Sequence, residues 1–139
     1  MKVKYQVVIF PDIHFPHEDK KALACALKVL EYVKPYGFLL LGDFAEGESV
    51  SHWQWAKKKR PPLEIQLESV DREIKLVNAG LDKIDASCKK AGVKKKILTM
   101  GNHEVWYDNL VLENPFLKEY KAHRAFKIEK RGYVWHEYG

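Results

Sequence analysis

Asp12, His14, Asp43, Asn102 and His103 bring together carboxylate, imidazole and carboxamide groups, and each stands just after a short apolar run of the sequence. Donors of these kinds suit manganese, iron, zinc or similar borderline divalent ions, and they match neither an all-oxygen calcium cage nor a thiolate zinc site. In the stretch Asp12-Ile13-His14, alternate side chains of an extended chain point the same way, so both can reach one ion. A carboxylate such as Asp43 can bridge two ions held roughly 4 Å apart. Ions paired in this way activate water and offset charge on a phosphoryl group.

Such a constellation needs elements that deliver its members to one place. Tyr5 to Phe10 is an apolar, β-branched run closed by Pro11, which predicts a buried strand followed by a loop from Asp12 to Glu18. From Asp19 to Lys34, Leu23, Ala26, Leu27, Leu30 and Val33 recur at helical spacing, and Pro35-Tyr36-Gly37 ends the run. Phe38 to Leu41 is a second strand, closed by Gly42-Asp43. Ala45 to Arg60 is irregular and aromatic, and Pro61-Pro62 separates it from the clearest helix, about Leu63 to Lys90. There Leu67, Val70, Ile74, Val77, Leu81, Ile84 and Cys88 form one stripe at alternating spacings of three and four. Lys96 to Met100 is the third strand, and Gly101-Asn102-His103-Glu104 follows it at once. Val105 to Tyr120 reads as helical with a break at Asn114-Pro115, Lys130-Arg131-Gly132 as a turn, and Tyr133 to Tyr138 as a last strand. Strand and helix thus alternate as in a parallel α/β protein, and the candidate residues fall at the carboxyl ends of the strands, where such sheets bind ligands.

The 139 residues, 46% of them hydrophobic and 31% charged, suit one globular domain over residues 1–139 and exclude a disordered chain. No run approaches the roughly 18 apolar residues of a membrane span, and the N-terminus makes a poor signal peptide. With Cys25 and Cys88 lacking metal-type spacing, reduced thiols in a cytoplasmic protein are the expectation. The net charge of +5 tilts the partners toward polyanions.

In order and in strand context, Asp12-Ile13-His14, Gly42-Asp43 and Gly101-Asn102-His103-Glu104 resemble the Asp-x-His, Gly-Asp and Gly-Asn-His-Asp/Glu motifs of the calcineurin-like metallophosphoesterases. Three motifs in register over about a hundred residues make the resemblance strong. It implies a metal-centred β-sandwich flanked by helices, and two divalent ions, with manganese foremost and iron, zinc, nickel or magnesium as alternatives. It further implies that Asp12 and His14 bind the first ion, that Asp43 bridges both, and that Asn102 binds the second. His103 is then the catalytic group near the leaving oxygen, and Glu104 orients its imidazole from behind. The implied activity is hydrolysis of phosphomonoesters or phosphodiesters by metal-bound hydroxide, on a phosphate-ester substrate that includes nucleotides or nucleic acid among its candidates.

The family also uses a downstream histidine and a terminal Gly-His-x-His segment, and this chain has no Gly-His pair. The expectation is therefore a chain incomplete at its C-terminus, stopping before the remaining ligands, with self-association through an unfinished sheet edge. His17, His123 and His136 are read as surface or packing residues. Trp53, Trp55 and Lys57 to Arg60 invite a nucleic-acid reading, but packing of the tryptophans and solvation of the charges is preferred. The stretch from Gly47 to Trp53 and the basic run after it look like bacteriophage and bacterial members of the family. The alternative function is a non-catalytic truncated module that binds nucleic acid, phosphate or a protein partner.

Overall fold

A computed structural model describes residues 5–139. Four strands, β1 (Val7–Pro11), β2 (Gly37–Leu41), β3 (Lys95–Thr99) and β4 (Tyr133–His136), pair in chain order, and every pairing is parallel. Helix α1 (Lys20–Val33) connects the first two, and the 29-residue α2 (Leu63–Ala91) leads into the third. Between β3 and β4 lie α3 (Asn102–Glu113), a 3-10 segment Pro115–Tyr120 and the single turn α4 (Ala122–Ala125). This is the α/β architecture expected, with one helix-covered sheet; the described residues contain no second sheet.

Local chemistry sets the boundaries. The Asp19 carboxylate caps α1 by accepting from the backbone N–H of Lys21 and Ala22 at 2.9 and 3.0 Å. Gly92, at φ 73°, ends α2 in the left-handed conformation that glycine adopts most easily. The predicted stripe of α2 is the buried one: Val70, Val77, Leu81 and Ile84 have no exposure, and Leu67 and Ile74 pack at its margin. Phe10, Phe38, Leu40, Leu98 and Tyr133 come down from one face of the sheet to join them.

Alternation along the strands puts the remaining apolar residues on the opposite face. Val7, Ile9, Leu41, Ile97 and Val134 there are 38–64% exposed. Among the described residues no helix is long and apolar enough to cross a membrane. Cys25 is exposed and Cys88 buried, and both are free, as expected. Burial pushes the Cys88 thiol up to about 11, which keeps it protonated and unreactive.

The last strand is fastened to α2 by a polar knot. The Arg131 guanidinium donates to Asp82 at 2.7 Å, to Asp85 at 2.6 Å, to the Asn78 amide oxygen at 2.8 Å and to the Phe126 carbonyl at 2.8 Å. Lys96, on β3, reaches the same Asp85 at 2.6 Å and lies over the Tyr133 ring. Arg131→Met should therefore lower stability to urea by about 2 kcal/mol, because Asp85 keeps Lys96 while Asn78 and the Phe126 carbonyl lose a donor. A change within a few tenths of a kcal/mol would show that the knot contributes nothing net.

Candidate metal centre

The pairing of β1 with β2 continues past the strand ends, and this continuation builds the centre. Asp12 N–H donates to the Gly42 carbonyl at 3.3 Å, His14 N–H to the Asp43 carbonyl at 3.0 Å, and Phe15 N–H to the Phe44 carbonyl at 2.8 Å. The two loops run side by side, so the side chains of Asp12 and His14 come up beside Asp43. Asp12, His14, Asp43 and Gly42 all have left-handed backbone, with φ of 48°, 55°, 47° and 65°. Non-glycine residues pay for that conformation, and such residues concentrate where function holds them in place.

Glu104 does the fastening. Its side chain is fully buried, and its two oxygens accept the backbone N–H groups of Asp43 at 2.9 Å, Ala45 at 2.9 Å and Gly101 at 2.7 Å. Burial pushes its carboxyl above the ordinary range, while the three N–H donors pull the other way. One carboxylate thus clamps the loop after β2 to the start of α3. Gly101 completes the junction: a Cβ there would collide with the Asp43 carboxylate and lie 2.5 Å from its backbone nitrogen. With no side chain at Gly101 to cap α3, Asp43 takes that place, its Oδ1 accepting from His103 N–H at 3.1 Å.

Asp12, His14 and Asp43 converge, each offering a ligand atom within 4.8 Å of the others. A second group of the same tightness is His14, Glu46 and His103. His14 belongs to both. Its Nδ1 is buried and has no hydrogen-bond partner, although Glu46 Oε2 lies 3.0 Å away as a potential ion-pair partner. An imidazole nitrogen without a hydrogen bond, 3.0 Å from a carboxylate oxygen, is an arrangement a divalent cation would complete, and the donor set fits such an ion. Asn102 opens α3 at the rim, exposed. His103 sits beside His14, ring centroids 4.7 Å apart.

One expectation changes, and one residue was missed. Glu104 does not orient the His103 imidazole; its oxygens are taken up by backbone N–H groups, and its effect passes through Asp43. What holds the imidazole is the Glu46 carbonyl, 2.5 Å from Nδ1. Glu46 went unnoticed in the sequence because it lies in the irregular segment after Gly42-Asp43, although a carboxylate three residues beyond Asp43 in one loop was a usable signal. That loop is held from below by buried Glu73 of α2, which accepts from the backbone N–H of Glu48 and Ser49, the Ser49 hydroxyl and the Tyr107 hydroxyl.

The other histidines stand apart from both groups. His17 reaches Glu48 at the surface, and His123 stacks on Trp135 at 4.8 Å. His136 lies at the carboxyl end of β4, and its carbonyl accepts from Met100 N–H. Of the two loop tryptophans, Trp53 is 68% exposed and does not pack as expected, whereas Trp55 is half-buried.

Residues 5–137 match the family model described as calcineurin-like phosphoesterase. Comparison with curated proteins and with solved structures found no match.

Proposed function

The chain belongs to the calcineurin-like phosphoesterase family, and from that premise we propose that it hydrolyses phosphomonoesters or phosphodiesters with two divalent ions held by Asp12, His14, Asp43 and Asn102. The convergence of the ligand atoms of Asp12, His14 and Asp43 supports this reading most directly. Two bound ions, manganese foremost, would supply a nucleophile at neutral pH and neutralise charge on the phosphoryl oxygens.

The chain's own groups divide the remaining work. Asp43 gives one carboxylate oxygen to His103 N–H, so its other oxygen would be free to help hold the ions. His14 and Glu46 set one wall of the centre at 3.0 Å from each other. Because the Glu46 carbonyl occupies His103 Nδ1 as an acceptor, the ring carries its proton on Nδ1 when neutral, and Nε2 is the nitrogen left for substrate. In the imidazolium form, Nε2–H can hydrogen-bond a phosphoryl oxygen or pass its proton to the departing alkoxide. The Glu46 carbonyl thus fixes which face of the ring does chemistry.

The test is the purified chain with an aryl phosphomonoester and an aryl phosphodiester, with and without manganese, followed in parallel by its thermal midpoint. Turnover that requires manganese, disappears with a chelator, and accompanies a rise in the midpoint is the expected result. Folded protein that neither turns over either ester nor responds to manganese in its midpoint would remove the reading.

A further inference from the structure

One face of α3 carries His103, Trp106, Asn109, Leu110 and Glu113, spaced by three or four residues. His103 ends that face at the candidate metal centre. Beyond it the same face borders a cavity of about 340 Å³, closed on its other side by the segment that holds His52, Trp55 and Arg60. Trp106 is the shared wall: its ring lies 4.2 Å from that of His103 and also lines the cavity. At about 1.5 Å of rise per residue, Asn109 stands about 9 Å along the helix from His103.

The lining is mixed in a particular way. Trp55, Trp106 and His52 supply aromatic surface, with His52 edge-on to Trp106 at 6.4 Å. The indole N–H of Trp55 is buried and has no hydrogen-bond partner. Asn109, exposed at the mouth, offers a carboxamide that both donates and accepts, and among the described residues nothing engages it. Arg60 is held in place by Glu113 at 3.1 Å and by Gln66 at 3.0 Å. Flat aromatic walls and an amide at the rim are what a planar nitrogen heterocycle requires: faces to stack on and a partner for the ring edge.

We propose that this cavity is a nucleobase subsite, so that the ester bound with its phosphoryl group at the metal centre is a nucleotide, its base stacking on the aromatic lining that Trp55 and Trp106 provide and its edge read by Asn109. The placement of the phosphoryl group rests on the function proposed above; base binding does not.

The experiment is titration of the intrinsic tryptophan fluorescence with adenosine, AMP, a short oligoadenylate and ribose 5-phosphate, in the presence of a chelator. Saturable quenching by adenosine and AMP but not by ribose 5-phosphate is expected, weakened roughly tenfold or more in Trp55→Leu and in Asn109→Ala. Asn109→Ala removes an exposed side chain with no internal bond, so it keeps the test valid if Trp55→Leu fails to fold. Equal binding of AMP and the oligonucleotide assigns free nucleotides to the subsite, and tighter binding of the oligonucleotide assigns a strand end. Quenching unaltered by Asn109→Ala, or ribose 5-phosphate binding as tightly as AMP, overturns the subsite. Base binding without manganese-dependent hydrolysis would sink only the enzymatic reading, and hydrolysis without base binding only this one.

Discussion

Asp43→Asn is expected to reduce manganese-dependent ester hydrolysis by about a thousandfold or more, with little change in the thermal midpoint. The substitution is chosen for what it keeps. Asparagine has the same shape and retains an Oδ1 that can accept from His103 N–H, the bond that caps α3. The backbone N–H of residue 43 still meets Glu104, and the left-handed conformation at φ 47° is one that asparagine tolerates as well as aspartate. What disappears is the negative charge and the second ligand oxygen, the two properties that let one side chain serve two cations. Activity should therefore fall together with the rise in thermal midpoint that manganese produces. A variant with most of its activity intact would show that Asp43 is a helix cap and no bridge.

Glu104→Ala is expected to cost roughly 3–6 kcal/mol in urea unfolding, enough to unfold a domain of modest stability. Three backbone donors, on Asp43, Ala45 and Gly101, would lose their only side-chain acceptor in a site with no exposure, and a cavity would be left behind. Glu104→Gln should cost less, about 2 kcal/mol, because one oxygen remains while the amide nitrogen confronts a donor. Equal and small losses, below about 1 kcal/mol for both, would mean that the clamp is dispensable. Because the clamp holds the loop bearing Asp43, the glutamine variant should also bind manganese more weakly, and this links a stability residue to the centre without its touching an ion.

The sequence made the scaffold legible where physics is local and periodic. The stripe of α2, the three apolar runs that became β1 to β3, and the breaks at Pro61-Pro62 and Asn114-Pro115 all follow from spacing and from residues with restricted backbones. The first three strands shifted by one or two residues, β1 from Tyr5–Phe10 to Val7–Pro11 and β3 from Lys96–Met100 to Lys95–Thr99, and two later boundaries moved as well. Helix α3 begins at Asn102, three residues before the expected start, because its first turn is capped from outside by Asp43, which no local pattern announces. The expected strand from Tyr133 to Tyr138 ends at His136. At the centre, the residues in motifs were legible and those held by long-range bonds were not. Glu104 was recognised as part of the site, but its partners lie up to 61 residues away in sequence, and so its role was misread. The carboxylate of Glu46 could have marked it, but its hold on His103 runs through its backbone carbonyl, a group every residue has and no side-chain chemistry announces. Trp106 joins the site only because α3 turns it toward His103 and the segment after β2 folds back to face it.

The strands lie in the sheet in the order in which they occur in the chain, and this gives the centre a timetable. A nascent chain emerges at about 5–20 residues per second. β1 and β2 can pair while α2 is still being made, which sets the Asp12–His14 loop beside Asp43 early. Until Gly101 to Glu104 leave the ribosome, however, only Glu73 of α2 can hold the second loop, at Glu48 and Ser49, and the N–H groups of Asp43 and Ala45 lack the Glu104 carboxylate that fixes them. The ligands are therefore gathered first and locked last. A cation meeting the half-made chain finds loose side chains, and a rigid cradle awaits it only when the third strand and the first turn of α3 have arrived.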